Sequence, residues 1–548
     1  MAVPPKSLNI DIKNYKASIE KWTIILDRTH SWGTPERVTL GPSAAPSHKI
    51  EHDMIKMGDF MLRTFNAHWT GPDFEPQVLI DFLRKLPSLS NLEWRSYDLM
   101  PPLLELLRDE LSNCKIHLKP FYISYDAEPS YPRRLILCLP SLRTIWYKRD
   151  FDDCVENIVQ HMARASNGNI REVRIFWGFR GASPFPVPAP LMWRQELAPL
   201  DCQRLGQLQC LQLSGNGRDG LNLEIWARHT DFAYLRALSL EMCVTGADLE
   251  TLINLPVQSL HSLGMVLDDT SDPYSATLQT LFCNLPSLLH LRLTGGLPSL
   301  YLQAILNQLD STLHTLYLIP QGTDPCRFVF DSSTLALVTD RCKHVKDLAI
   351  SIRRSWNKPG KDIAVLKAIG RMPHLANLNL TLDTYTMPFH YNENNEPARL
   401  APSDPSFSAF DAEPFPSSEG WLRNGHIRDA LINSAIDADL AKAIFSTILS
   451  GTPDGETPSL RRLSLKASSE NPSIYSGVGE VAEEIGREWV VERSGLDEVV
   501  EVRRVEVDDE RFELPEWPTY DVELVFRSIW PGDGNWFNEW HSFPLIQQ

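Results

Sequence analysis

The repeated pattern L-x-x-L-x-L constrains the fold of this chain more than any other feature of the sequence. Apolar residues that alternate with polar ones over a few positions indicate a short strand with one buried face. Eleven copies, some with Ile or Val replacing Leu, begin at Leu89, Leu142, Ile170, Leu208, Leu235, Leu260, Leu288, Leu313, Val345, Leu375 and Leu460. From Leu208 to Leu375 the copies follow one another at intervals of 25 to 32 residues. A pattern that recurs at this interval predicts an array of similar structural units.

The segments between these strands carry the apolar period of a helix. Examples are "PPLLELLRDEL" at 101–111, "GADLETLINL" at 246–255 and "KDIAVLKAIG" at 361–370, with apolar residues near i, i+3, i+4 and i+7. One strand and one helix cannot bury each other's apolar faces completely, so neighbouring units must stack to form a continuous core. We therefore expect strands in a parallel sheet on one side and helices on the other.

This unit of strand, turn, helix and turn resembles the leucine-rich repeat of the ribonuclease-inhibitor-like type. The resemblance covers about residues 86–468. Asn216 and Cys243 match the Asn or Cys that the family often places three residues after the last strand leucine. The resemblance implies an α/β fold, namely a leucine-rich-repeat solenoid. It has the shape of a horseshoe, with a concave parallel sheet and convex helices.

The sequence divides into three parts around this array. We predict an N-terminal cap with the first irregular repeats at 1–85, the repeat array at 86–468 and a C-terminal cap at 469–548. A Pro/Ser-rich stretch without period at 384–426 is predicted to be a long surface loop.

Individual elements are predicted at both ends of the chain. "ERVTLG" at 36–41 is predicted as an edge strand. In the C-terminal part we expect an amphipathic helix over 480–495 and strands over 498–507 and 520–530. Trp530, Trp536 and Trp540 form an aromatic tail, for which a cap is the first interpretation and a binding role the second.

The overall charge limits the classes of partner. The net charge of -17 opposes the broad basic surface that nonspecific nucleic-acid binding requires. No apolar run approaches the length of a membrane span, so we expect neither nucleic acid nor membrane as a partner. The nine cysteines form no C-x-x-C pair, and most lie in apolar patterns. Buried, reduced thiols in a cytoplasmic or nuclear protein are therefore expected. We also expect a monomer.

The segment "LQLSGNGRDG" contains the spacing G-x-G-x-x-G at Gly215, Gly217 and Gly220, which is typical of a dinucleotide-binding loop. The strand before such a loop is normally buried on both faces, whereas "LQCLQLS" alternates. We therefore interpret Gly215–Gly220 as a tight turn of the repeat, and nucleotide binding there remains an alternative. No motif assigns a catalytic residue, a metal ligand or a cofactor.

The positions that alternate with the strand leucines are the candidates for partner contact, because they lie on the opposite face of each strand. Aromatic and Arg side chains are favoured as anchors in protein interfaces. The predicted contact residues are Trp146, Lys148, Arg174, Gln212, Ser214, Glu241, Arg292, Tyr317 and Asn379.

The loose repeats and the tail "FRSIWPGDGNWFNEWHSFPL" resemble a group of fungal leucine-rich-repeat proteins whose relatives often carry an N-terminal F-box. The resemblance implies a substrate receptor of a cullin-RING (SCF-type) ubiquitin ligase, with a ligase adaptor as a second partner. No L-P-x-E segment precedes Leu86, so no F-box is evident. The sequence thus favours a non-enzymatic protein–protein interaction scaffold. The alternatives are a nucleotide-binding enzyme that uses Gly215–Gly220 and a structural scaffold that acts through its loops, chiefly 384–426.

Overall fold

The computed structural model describes most of the predicted array and parts of both ends. The described residues are 7–11, 15–29, 31, 34–41, 76–94, 101–121, 139–149, 154–166, 168–177, 205–214, 221, 223–267, 275–295, 305–306, 312–320, 330–384, 405–416, 422–468, 476–494, 499–505, 520–534 and 538–545. The chain divides into two compact units, Met1–Ser262 and Leu263–Gln548.

Sixteen strands in the described residues form one open, mostly parallel sheet whose strand order is the chain order. The first eight are β1 Ser7–Asp11, β2 Arg37–Gly41, β3 Asn91–Trp94, β4 Lys115–Phe121, β5 Leu142–Arg149, β6 Glu172–Trp177, β7 Cys210–Ser214 and β8 Ala237–Val244. The others are β9 Ser262–Leu267, β10 His290–Gly295, β11 Thr315–Pro320, β12 Asp347–Arg353, β13 Asn377–Asp383, β14 Arg462–Ser468, β15 Trp489–Ser494 and β16 Val499–Arg504.

The described residues contain thirteen α-helices, twelve between these strands and one after β16, so the fold is mixed α/β. They are α1 Tyr15–Thr29, α2 Pro76–Arg84, α3 Pro101–Asp109, α4 Cys154–Ala165, α5 Leu223–His229, α6 Gly246–Asn254, α7 Ser275–Asn284, α8 Ser332–Arg341, α9 Pro359–Gly370, α10 Asn424–Ser434, α11 Ala438–Leu449, α12 Ser476–Ile485 and α13 Tyr520–Ile529.

Every copy of the L-x-x-L-x-L pattern coincides with a strand, namely β3 and β5 to β14. The alternation has the expected physical basis: in β8 the side chains of Leu238, Leu240, Met242 and Val244 are buried, and those between them are more exposed. The weaker pattern at 114–121 is also a strand, β4. The predicted strand at 36–41 is β2, but it lies between β1 and β3 and so is not an edge strand.

Helix starts are set by short polar side chains. At α6, Thr245 Oγ1 accepts a hydrogen bond from the backbone N–H of Asp248, and the Asp248 carboxylate accepts one from the N–H of Thr245. This reciprocal capping box satisfies two N–H groups that no helical carbonyl can reach. Asp331 and Asp437 cap α8 and α11 in the simpler one-way manner.

In the first unit the neighbouring strands from β1 to β8 pair in parallel. The register shifts between β4 and β5, next to Ile116 and Leu118. Elsewhere in this unit the copies of the repeat align residue for residue, so equivalent positions lie side by side.

In the second unit β10 to β14 pair in parallel, and β14, β15 and β16 then pair antiparallel. This end differs from the prediction. The predicted helix over 480–495 is α12, which ends at Ile485, followed by β15. At Gly486, between them, an added Cβ would lie 2.7 Å from the Ala467 Cβ, so the turn leaves no room for a side chain. The predicted strand over 520–530 is α13.

A stretch predicted as surface loop contains buried side chains. Within the described residues 405–416, Asp411 and Phe415 are buried, and α10 begins at Asn424, inside the predicted loop region. The Phe415 N–H donates to the carbonyl of Leu422. The rest of the loop region lies outside the described residues, apart from Thr384 and residues 422–426.

The C-terminal segment packs into a hydrophobic cluster with α10, α12 and α13. Trp530 is buried in this cluster, and Trp540 packs against it. The indole N–H of Trp530 donates to the carbonyl of His541 at 3.0 Å. Trp536 lies outside the described residues. Trp530 is therefore part of the core at this end of the chain, and the cap interpretation stays a prediction.

The buried guanidinium of Arg354 joins two other backbone segments of the second unit. It donates to the carbonyls of Asn433 (3.0 Å), Ala435 (2.8 Å) and Phe543 (3.0 Å). Burial lowers the pKa of Arg354 to about 10, against the opposing charges of Asp362 and Asp437. The arginine thus stays charged at neutral pH, and its charge is shared by three carbonyl dipoles.

Candidate functional site

Polar side chains of β4 to β8 lie on one face of the sheet of the first unit, which we call the polar face, and those of β5 to β8 lie in register. Three rows cross it. The first row runs from Thr144 through Glu172 to Cys210, and the second runs from Trp146 through Arg174 and Gln212 to Ser239. The third row contains Lys148, Phe176, Ser214 and Glu241. Six of the predicted contact residues therefore occupy two adjacent rows.

Trp146 is the centre of the first half of this face. Its indole N–H donates to Glu172 Oε1 at 3.0 Å, and Arg174 Nε donates to the same oxygen at 2.6 Å. The Arg174 guanidinium carbon lies 4.5 Å from the indole centroid, and Lys119 Nζ lies 4.4 Å from it. These cation–π contacts leave Trp146 only 7% exposed. A partner that reaches the indole must displace one of the two cations.

The carboxylate of Glu172 also links this cluster to the row beside it. Thr144 Oγ1 lies 3.4 Å from Glu172 Oε2 and 2.9 Å from His117 Nδ1. Burial lowers the pKa of His117, with Lys119 acting in the same direction and Glu93 against it. Since the hydroxyl lies between the imidazole and the carboxylate, Glu172 does not orient His117 as the acid of a nucleophile–base–acid triad would. Thr144 is also buried.

A second polar contact lies further along the polar face. Gln212 Nε2 donates to Glu241 Oε1 at 3.0 Å, and Ser239 Oγ donates to the same oxygen at 3.2 Å. Gln212 is buried, and Glu241 is half-buried. Glu172, Arg174 and Glu241 therefore already have partners in the protein, so their rotamers are fixed before any ligand arrives.

The predicted contact residues of the second unit also share a row. Arg292 pairs with Tyr317, Tyr317 with Ala349, and Ala349 with Asn379. Arg292 and Tyr317 are half-buried, whereas Asn379 is exposed. Burial raises the pKa of Tyr317, and the carboxylate of Asp347 acts in the same direction. This row is more open to solvent than the cluster around Trp146.

Parts of the predicted site cannot be placed at side-chain level. Lys148 and Ser214 are placed on their strands by backbone register alone. The Gly215–Gly220 turn lies outside the described residues.

Four residues of the polar face were not predicted as contact residues. Glu172 and Thr144 stand two positions before Arg174 and Trp146, on the same strand face, and this spacing was the available signal. His117 and Lys119 belong to the weaker copy of the repeat at 114–121. This copy lacks one leucine of the pattern, so its alternation of apolar and polar residues was harder to recognise.

Two histidines meet between α4 and α5 of the first unit. The rings of His161 and His229 lie edge to face with centroids 4.6 Å apart. Burial lowers the pKa of both, that of His229 to about 4, and Arg164 acts in the same direction. The described residues hold no group of three or more His, Cys, Asp or Glu side chains arranged for a metal ion.

The cysteines whose side chains the structure describes form no disulfide with one another, and they are not all buried. Cys114 and Cys342 are buried, Cys210 is half-buried, and Cys243 and Cys283 are exposed. Burial raises the pKa of Cys210 to about 11, which keeps the thiol protonated at neutral pH. In the part of the chain that the structure describes, no helix is long and apolar enough to cross a membrane.

Comparison with known proteins adds no family to this description. No protein-family model matches the chain, and no curated protein matches it with significance.

Proposed function

We propose that the protein is a non-enzymatic protein–protein interaction scaffold that binds a protein partner through the polar face. The observation that carries this proposal is the cluster of Trp146, Arg174 and Glu172. Tryptophan and arginine are the side chains most enriched at energetically important interface positions. Here a carboxylate holds both of them in one conformation, so less side-chain entropy is lost on binding.

In this proposal the sheet curves as in a leucine-rich-repeat solenoid, and the polar face is its concave side. A parallel sheet whose strands follow the chain order, with helices in the connections, is the topology that such a solenoid requires. The strand rows of the polar face then form a continuous lining. Gln212 and Glu241 extend the contact surface away from Trp146.

The partner would be the substrate of a cullin-RING ubiquitin ligase, and the chain would be its receptor. This part of the proposal depends on the resemblance of the C-terminal tail to fungal leucine-rich-repeat proteins. The receptor would act as a monomer in the cytoplasm or nucleus and would need a surface for a ligase adaptor in addition to the polar face.

Affinity purification with matched variants tests the proposal. The polar-face variant is Lys119→Ala with Arg174→Ala, and the control is Lys21→Ala with Arg236→Ala, which removes one exposed cation from α1 and one from the turn before β8. We expect the polar-face variant alone to lose a specific partner, identified by mass spectrometry. If both variants retain every partner of the wild type, the polar face is not the binding surface.

The ligase assignment has its own readout in the same experiment. Recovery of a cullin and its adaptor with the wild type would support it. Their consistent absence, with the substrate-like partner still captured, would contradict the ligase assignment and leave the scaffold proposal in place.

A further inference from the structure

A group of exposed basic side chains lies at the turns that precede β12, β13 and β14 in the second unit, separate from the polar face. We call it the basic patch. Its members are Arg341, Lys343, His344, Lys346, Arg371, His374 and Arg461.

The repeat brings these side chains together. Val345 N–H donates to the carbonyl of Cys342 in one turn, and Leu375 N–H donates to that of Met372 in the next. The two turns are therefore equivalent, and so are "RCKH" at 341–344 and "RMPH" at 371–374. Arg341 occupies the same place in its repeat as Arg371 does in the next.

Histidine stacking confirms that the two turns lie side by side. The rings of His344 and His374 are nearly parallel, 9° apart, with centroids 5.6 Å apart. The backbone continues this alignment, since Ala376 N–H donates to the carbonyl of Lys346 and Arg461 N–H to that of Ala376. Neighbouring repeats are thus about 5 Å apart at this level, less than the Debye length of about 8 Å at physiological salt. Cations on adjacent turns can act on the same bound group.

The charges of the basic patch are not neutralised within the described part of the chain. None of Arg341, Lys343, Lys346, Arg371 and Arg461 makes an ion pair there. The nearest acids in sequence are Asp340 and Asp347, and the Asp347 carboxylate accepts a hydrogen bond from Asn377 Nδ2 at 2.6 Å. The polar face differs, since Glu172 neutralises Arg174 there.

We propose that the basic patch binds a short acidic segment of a protein partner, with carboxylates or phosphorylated side chains that bridge Arg341 and Arg371. The chain has a net charge of -17, so it repels an acidic ligand overall. An uncompensated group of cations attracts such a ligand locally. A short segment can remain within the attractive area. A nucleic-acid duplex carries one charge per about 1.7 Å along its axis, extends past two repeats and meets the repulsive remainder.

Binding of a labelled deca-glutamate peptide to the full chain, followed by fluorescence anisotropy, tests this inference. Arg341→Glu with Arg371→Glu should weaken binding at least about tenfold, because two attractive charges become repulsive. The matched control is Lys115→Glu with Arg236→Glu, which makes the same charge change at the first residue of β4 and before β8 and should weaken binding less than about twofold. Lys119→Ala with Arg174→Ala should leave peptide binding unchanged.

Four results would overturn the inference. They are the absence of saturable binding by the wild type, equal losses in the two charge-reversed variants, loss of binding only in the polar-face variant, and tighter binding of a single-stranded DNA of similar charge at the same residues. Because the polar-face variant is measured separately, this inference can fail while the proposed function stands, and the reverse also holds.

Discussion

Two glycines of α9 offer the sharpest test of the packing, because the same substitution should have opposite effects at the two ends of one helix. At Gly370 an added Cβ would lie 1.9 Å from the carbonyl oxygen of Ile448 and 3.1 Å from the Cα of Gly451. At Gly360 an added Cβ would meet no atom within 4 Å. The ends of α9 and α11 are therefore in backbone contact at Gly370, whereas Gly360 faces open space.

The magnitudes follow from these distances. A methyl group and a carbonyl oxygen need roughly 3.2 Å, so Gly370→Ala must separate the two helix ends by more than about 1 Å, a gap that forfeits a quarter to a half of each dispersion contact. Ile369, Met372 and Leu375 lie beside this contact and would lose packing. We expect a loss of about 2–4 kcal/mol in local stability, at the upper end of the range for overpacked sites. Gly360→Ala should instead gain about 0.5–1 kcal/mol, because the alanine restricts the unfolded chain.

Hydrogen exchange measured by mass spectrometry on peptides from 359–370 and 438–449 gives the free energy of local opening in each variant. A local readout is needed because the chain has two compact units, and one two-state fit to the whole protein would be unjustified. Protection should fall in both peptides for Gly370→Ala and should be kept or rise for Gly360→Ala. If the two variants change protection alike, the close contact of α9 with α11 is refuted.

Three further predictions concern charged side chains. Arg354→Met should cost about 3–5 kcal/mol in local stability, because it leaves three carbonyls without this donor, whereas Arg371→Met, which is exposed, should cost less than about 1 kcal/mol; equal losses of hydrogen-exchange protection in the peptide 424–434 would contradict the Arg354 network. Burial raises the pKa of Asp362 from 3.8 to about 6, so this group favours the folded state fully below pH 4, and about 3 kcal/mol of its contribution is lost as the pH rises through 6. Asp362→Asn should remove that slope between pH 4 and 7, and an unchanged pH dependence of the local opening free energy in the peptide 359–370 would show that the carboxyl is not perturbed. For the polar face, Glu172→Ala and Arg174→Ala should weaken partner binding by similar factors, and the double variant should be little worse than either, because both act through one ion pair; additive losses would contradict this coupling.

The strands could be predicted from the sequence because their alternating leucines indicate a strand with one buried face. The same reasoning failed at α13, where "YDVELVFRSIW" fits both the apolar period of a helix and that of a strand. Val522, Val525 and Phe526 are buried at the helical spacing, while the β-branched residues favour a strand by propensity alone. Only packing in the cluster that contains Trp530 decides between helix and strand. A local sequence pattern does not show the contact with α10.

The rows of the candidate site could be predicted only in part. Alternation places Trp146 and Arg174 on the same face, but it does not show that Glu172 accepts hydrogen bonds from both. That contact needs the register between β5 and β6, which is a property of two segments about thirty residues apart. The basic patch was missed for a related reason: "RCKH" and "RMPH" are unremarkable separately, and become a surface only when the repeats are aligned.

The two proposed surfaces differ in how their charges are compensated, and this difference predicts different binding behaviour. On the polar face Arg174 is already paired with Glu172, so a partner exchanges one set of contacts for another, and the gain depends on shape and on displacement of Lys119. On the basic patch Arg341 and Arg371 have no acidic partner in the described residues, so the gain is mainly long-range attraction. Attraction of exposed charges is screened over about 8 Å at physiological salt, whereas packing against an indole is not. Added salt should therefore release a ligand from the basic patch well before it releases one from the polar face, so a salt titration can assign an unknown partner to one of the two surfaces.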